Sequence, residues 1–266
     1  MTPDRSNRVD REEFPTCYVL TMPNNNGQRQ KSTTRQLNAL GINFEFVYGF
    51  APCDPIIKQK YSKLLNALAM KRALSDGEKA VSMGHRKIWQ RILDSDLDFA
   101  LIFEDDFQIV NPASFLDSIF RALPLLSSVD MIKLFDFQKR DPLYTIPVGF
   151  YSVCIYERPN SGLVGYLVTR VFCERLLSQR YIYRPIDEEL RYWFSHRVRI
   201  ASFSSNLVID NSASLDGSFL SIDRDIVRGK RNVIRSIYAN FITLYTNLRS
   251  YYWSKHVVRG FSQIRE

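Results

Sequence analysis

The sequence predicts an α/β fold with a mostly parallel central sheet, followed by a basic amphipathic helical tail. Three stretches carry that expectation. Residues 16–22 form an apolar run and residues 43–49 alternate like a strand, with a helical stretch from about Gln28 to Leu40 between them. Strand, helix and strand in such close succession make a βαβ unit, which implies parallel pairing. Phe99 to Phe103 is a short apolar run that ends in three consecutive acids, Glu104, Asp105 and Asp106, and reads as a buried strand delivering carboxylates to a sheet edge. From Ile234 to Tyr252, apolar and aromatic residues recur every three or four positions among arginines and lysines.

The chain has 266 residues and 45% hydrophobic content, enough for one large domain with a full core. Its net charge of +8 is uneven: residues 224–266 hold nine Lys/Arg and two acids, so the body is nearly neutral. The expected division is a flexible terminus at 1–13, a main α/β domain at 14–223 and the basic helical tail at 224–266. Cys17, Cys53, Cys154 and Cys173 form no CxxC pair, and no histidine stands at zinc-ligand spacing from them, which fits a reducing, cytoplasmic setting. The polar first residues show no signal peptide, and no run approaches the ~18 apolar residues of a membrane-spanning helix.

Along the chain, Pro23 to Gly27 is a loop and Gly41 a helix stop. Ile57, Tyr61, Leu64, Leu65 and Leu68 predict one amphipathic helix over 56–73, and a second runs from about Glu78 to Leu93. Residues 113–126 read as a helix and 131–135 as a strand ending at Asp136. Prolines and aromatics over 141–160 suggest a small antiparallel hairpin. A strand over 163–168 leads to Thr169, a cap for the helix that follows. Residues 185–189 open another helix, with acids in its first turn where the helix dipole favours them. Residues 200–203 and 207–209 are short strands, and 211–218 a polar loop.

Three carboxylates at a strand end repel one another, and a cation relieves them. Oxygen-rich sites of this kind suit Mg²⁺ or Mn²⁺, which bridge to substrate phosphates. A solvated acidic turn is the plainer alternative. Arg29 and Arg35, near the first loop, are either solvated helix residues or diphosphate contacts.

Two stretches resemble glycosyltransferase family 25, the bacterial lipooligosaccharide glycosyltransferases related to collagen galactosyltransferases. They are Leu74-Ser75-Asp76-Gly77-Glu78 with His85 and Trp89, and the aliphatic run ending in Glu104-Asp105-Asp106. The family pattern is Leu-x-x-Gly-Glu-x-Gly-Cys-x-x-Ser-His, a Trp, then an aliphatic run into Glu-Asp-Asp. This chain departs at Ala80, Val81 and Gly84, where the family has Gly, Cys and Ser. The opening strand with Arg29, the segment Gly165-Tyr166-Leu167-Val168-Thr169 (family Ala-Tyr-Leu-Ile-Ser) and Pro185-Ile186-Asp187 extend the resemblance over about residues 15–215.

The resemblance implies a GT-A-like nucleotide-binding sandwich and an inverting transfer of a sugar, commonly galactose from UDP-galactose, onto a lipooligosaccharide or lipopolysaccharide core acceptor. It places the enzyme in the cytoplasm at the inner membrane of a Gram-negative bacterium. Glu104 and Asp106 have the spacing of an Asp-x-Asp site, with Asp106 the expected metal ligand and Glu104 beside the ribose or metal. Glu78, His85, Glu104, Asp105 and Arg29 are the expected donor-binding residues; His85 has a structural hydrogen-bonding role as its alternative. Inversion needs a general base. Asp187 is the first candidate, with Glu188 and Glu189 as alternatives and helix capping as the plainer role. The tail reads either as a helix on an anionic membrane surface or as one packed on the core with a wet basic edge. A metal-dependent nucleic-acid-binding protein or nuclease, built on the triplet and the tail, is the competing functional reading; no nucleic-acid module appears.

Overall fold

The computed structural model describes residues 14–22, 27–215 and 233–262. The expected flexible terminus at 1–13, most of the loop after the first strand and tail positions 224–232 lie outside the described residues. Strand β1 (Cys17–Thr21) is buried along its length. Helix α1 (Gln28–Ala39) leads to β2 (Phe44–Tyr48), which pairs parallel to β1. The aliphatic side of α1 is sparse for a reason the structure makes plain: its buried residues are Arg29, Thr33 and Leu37. Gly41, at φ 67°, takes the left-handed position that ends the helix.

The single helix expected over 56–73 is two, α2 (Pro55–Lys60) and α3 (Lys63–Ala69). Tyr61 between them is extended and bridges Ile182, while Ser62 donates its N–H to Ile182 O. Ser62 Oγ then accepts from Leu65 N and starts α3 afresh. Helix α4 (Asp76–Leu93) begins two residues before the expected start, because Ser75 and Glu78 form a reciprocal capping box. Next come β3 (Phe99–Glu104), β4 (Phe107–Ile109), α5 (Pro112–Ala122) and β5 (Met131–Lys133). The expected hairpin is β6 (Tyr144–Val148) with β7 (Tyr151–Ile155). Strand β8 (Gly165–Thr169) runs into α6 (Arg170–Leu177), with Thr169 Oγ1 accepting from Phe172 N. Short helices α7 (Ile186–Glu189) and α8 (Trp193–His196) precede β9 (Ile200–Phe203), β10 (Val208–Asp210), α9 (Ser212–Leu215) and the long α10 (Val233–Ser262).

The main sheet has eight strands in the order β2-β1-β3-β8-β5-β9-β7-β6. Parallel pairing holds for β2–β1–β3 and for β5–β9, while β8 lies antiparallel between β3 and β5 and the hairpin adds two antiparallel strands at one edge. Pro147 sits in β6, the edge strand, where a missing N–H costs no interior ladder bond. Strands β4 and β10 pair as a separate antiparallel ribbon just beyond the end of β3.

Trp89, Trp193, Tyr166 and Phe103 are among the largest fully buried side chains. Helix α4 crosses β1 so closely that a Cβ on Gly84 would lie 2.7 Å from Leu20 Cδ1. A Cβ on Gly165 would lie 2.9 Å from the Phe103 ring. Gly84→Ser is therefore expected to destabilise the fold by ~1–3 kcal/mol through overpacking. Urea unfolding of Gly84→Ser, Leu20→Val and the double variant checks this, since relief by the smaller partner makes the double variant more stable than the sum of the singles.

Helix α10 packs against the domain rather than standing off it. Trp193 Nε1 donates to Ser250 Oγ, Ser250 Oγ donates to Glu157 O, and Trp253 Nε1 donates to Val198 O. Thr246, Ser250, Ser254, Val257 and Phe261 are its buried residues.

Candidate active site

The acidic triplet sits where β3 ends. Glu104 is the last residue of the strand, and Asp105 and Asp106 form the turn before β4. Asp105 turns inward. Its Oδ2 accepts from Thr21 Oγ1 at 2.6 Å, its Oδ1 from Arg29 Nη1 at 3.2 Å, and its carbonyl from Thr33 Oγ1 at 3.2 Å. Arg29 also reaches Asp106 Oδ2 at 2.9 Å. Arg29 is thus neither a solvated helix residue nor open to solvent: it is 7% exposed and neutralises two adjacent carboxylates. Arg35 is exposed. The remaining oxygen, Asp106 Oδ1, is buried and has no hydrogen-bond partner among the described residues.

Glu104 is held from α4. Trp89 Nε1 donates to the Tyr166 hydroxyl at 3.1 Å, leaving that hydroxyl's own proton for His85 Nδ1 at 2.8 Å. His85 Nε2 then carries the proton and donates to Glu104 Oε1 at 3.1 Å. Burial pushes His85 down to about 3, so the imidazole is neutral and this contact is a hydrogen bond rather than an ion pair. His85 therefore orients Glu104 from beneath and does not face the cavity.

Glu104, Asp106 and Asp187 share the lining of one cavity of about 110 Å³ with Asp210, Ser212 and Glu78. The carboxylate of Glu78 is committed to Arg72, at 2.6 and 2.7 Å, and to the N–H of Ser75. Asp187 Oδ1 accepts from Glu188 N at the start of α7. Its neighbours go elsewhere. Glu188 pairs with Arg191 and lines a separate groove, while Glu189 is buried between Arg184 and His196. Asp136 is buried against Lys133 and Lys139, away from the cavity lining.

Asp210 went unrecognised in the sequence. It ends β10, opposite Phe107 of β4, and Asn211 N donates to Asp106 O at 2.8 Å. The ribbon thereby sets a fourth carboxylate beside the triplet. The available signal was an acid closing a short apolar strand, the same arrangement that marks β3.

Burial, then the neighbouring Asp210, Asp105 and Asp187, push the Glu104 carboxyl up to about 8; Arg29 pulls the other way. Burial and Glu104 likewise push Asp106 up to about 8. Both folded values lie above their unfolded ones, so the stability from protonation is complete below about pH 4 and is lost as pH rises through about 8. In chelator, the melting temperature is expected to fall between about pH 4 and 8, and Mn²⁺ is expected to restore it most at the alkaline end. Thermal melts across that range, with and without the cation, check both.

No three His, Cys, Asp or Glu side chains among the described residues converge as a self-sufficient metal cage. The donors fit the other common arrangement, in which one or two carboxylates hold the ion and substrate phosphates complete its shell. The unpartnered Asp106 Oδ1 and the mutual repulsion of Asp106 and Glu104 are what such an ion would relieve.

A parallel βαβ half-sheet whose strand ends gather carboxylates around a cavity defines an α/β protein with its site at the carboxyl edge of the sheet. The sequence pattern of glycosyltransferase family 25 (LPS biosynthesis protein) matches residues 14–188, and the chain belongs to that family. It is 30% identical over 79 residues to the lacto-N-neotetraose biosynthesis glycosyltransferase LgtE of Neisseria meningitidis serogroup B, covering 30% of this chain and 28% of the relative. It is 33% identical over 79 residues to the lipooligosaccharide biosynthesis protein lic2B of Haemophilus influenzae, covering 30% and 29%. It is 32% identical over 79 residues to the lacto-N-neotetraose biosynthesis glycosyltransferase LgtB of Neisseria meningitidis serogroup A, covering 30% and 28%. The chain thus spans under a third of the length of these relatives.

Proposed function

We propose that the chain is a metal-assisted, inverting glycosyltransferase that moves galactose from UDP-galactose onto a lipooligosaccharide or lipopolysaccharide core acceptor. Family membership and the printed roles of the relatives support the transferase and its acceptor class; neither supports the nucleic-acid reading. The observation that carries the chemistry is the partnerless oxygen of Asp106 in a cavity whose walls also hold Glu104, Asp187 and Asp210.

Asp106, with Glu104 beside it, would hold Mg²⁺ or Mn²⁺. When bound, the cation supplies neutralising charge for the leaving nucleoside diphosphate. The protein's own groups do the rest. Arg29 fixes Asp105 and Asp106, and His85 fixes Glu104. Asp187 accepts the proton of the acceptor hydroxyl as that oxygen bonds to the anomeric carbon. The bond from that carbon to the diphosphate oxygen breaks on the opposite side, which inverts the centre.

The test is thermal shift and sugar transfer across a panel of UDP-sugars, with and without Mn²⁺. Stabilisation and turnover with UDP-galactose only in the presence of the cation is the expected result. A response confined to another UDP-sugar would correct the donor, and no response to any nucleotide sugar would overturn the reading.

A further inference from the structure

The long helix α10 carries large apolar residues on both its inward and its outward side. Ile242, Thr246, Ser250, Val257 and Phe261 lie toward the domain, and two of the three fully covered positions nearest the middle are serines, Ser250 and Ser254. On the opposite side stand Phe241 (69% exposed), Leu244 (60%), Tyr245 (56%), Leu248 (53%) and Tyr252 (69%). Their spacing of i, i+3, i+4, i+7 and i+11 puts them on one stripe of a 3.6-residue helix. Helix α3, which lies against α10 and is tied to it by Lys71 Nζ donating to Asn240 Oδ1, exposes Leu64 (70%), Leu65 and Leu68 as well. Scattered exposed leucines need no explanation, but large apolar side chains gathered on two adjacent helices do.

We propose that the outer sides of α10 and α3 form one docking surface for an anionic lipid bilayer, with α10 lying in the plane of the interface. Charge selects this occupant. No Asp or Glu occurs from Val233 to Ser262, and Arg249, Lys255 and Arg259 are exposed along the helix, with exposed Lys63 and Lys71 on and just after α3. An anionic surface attracts that set, while the apolar stripe enters the headgroup boundary. Three tyrosines on the exposed part of α10, Tyr245, Tyr251 and Tyr252, are the side chains that favour a boundary between apolar and wet phases. No helix among the described residues is long and apolar enough to cross a membrane, so the mode is lying on the surface rather than spanning it.

The inward sides of the same two helices border a groove beside the acidic cavity. A groove of about 370 Å³ separates α3 and α10 from the segment that carries α7, and its walls include Lys71, Arg72, Arg191 and Thr246. Pro185 lines both this groove and the acidic cavity, two residues before Asp187. Resting on the transferase reading, this layout presents an acceptor anchored in the bilayer to the proposed base; the docking itself does not depend on that reading.

The test is co-sedimentation of the full chain with vesicles of phosphatidylcholine alone and of an equal mixture of phosphatidylcholine and phosphatidylglycerol. Binding to the mixed vesicles, weakened by added salt, is expected. The double variant Leu244→Ser/Leu248→Ser is expected to partition about tenfold less, with an unchanged melting temperature and unchanged turnover on a soluble acceptor. Should that variant fail to fold, Lys255→Glu/Arg259→Glu keeps the stripe intact and is expected to lose the preference for phosphatidylglycerol. The proposal is overturned if the wild type stays in the supernatant with both vesicles, if the folded variants partition as it does, or if sedimentation velocity shows a dimer that Leu244→Ser/Leu248→Ser converts to monomer. Inactivity on every nucleotide sugar with vesicle binding intact would remove the transferase reading and leave the docking surface standing.

Discussion

Asp106→Asn is expected to lower sugar transfer by about 10³-fold while leaving the fold intact. The carboxylate is placed where it can act: one oxygen is held by Arg29 at 2.9 Å and the other is buried without a partner among the described residues. Asparagine keeps an acceptor for Arg29 but cannot supply the negative charge that a divalent cation needs. Losing several kcal/mol of charge stabilisation, at about 1.4 kcal/mol per decade, corresponds to about two to three orders of magnitude or more. Stability moves little, and above pH 8 it is expected to rise, because a carboxyl that resists ionisation there has been removed. Transfer assays, paired with Mn²⁺-dependent thermal shift, check both halves. Wild-type activity in this variant would end the metal assignment for Asp106.

Asp187→Asn is the second large effect expected, with kcat reduced about 10²–10⁴-fold and donor KM little changed. The carboxylate lines the same cavity as Glu104 and Asp106, and asparagine retains the oxygen that accepts from Glu188 N, so the start of α7 survives. The adjacent Glu188 provides the control. Its carboxylate pairs with Arg191 in a different groove, and Glu188→Gln is expected to leave kcat within about twofold, the range of an ordinary surface change. If Glu188→Gln fell as far, the base would have been misassigned between neighbours.

Much of the site's frame was legible because it is local. An apolar run into three acids is a strand end whatever surrounds it, Thr169 caps the helix that follows it, and the Pro-rich 141–160 stretch folds as the hairpin it suggests. What stayed hidden depends on distant partners. The break between α2 and α3 is set by Ile182, far along the chain. Arg29 is buried because its counter-charges arrive 76 and 77 residues later. Asp210 joins the triplet only through the ribbon of β4 and β10, and three-residue strands leave almost no periodicity to read. In α10 the periodic pattern announced a helix with apolar residues but not which side would face inward; the hydrogen bonds of Ser250 to Trp193 and Glu157 decided it.

The two close approaches in the core bear on how this protein can be engineered. The family pattern carries Ser and Ala where this chain has Gly84 and Gly165, and here Leu20 and Phe103 fill the space those side chains would need. Substitution toward a family consensus is a common route to stabilisation, yet at these two positions it would work against this chain unless the facing residue were reduced at the same time. A homologue-guided library for this chain should therefore treat 84 with 20, and 165 with 103, as linked choices.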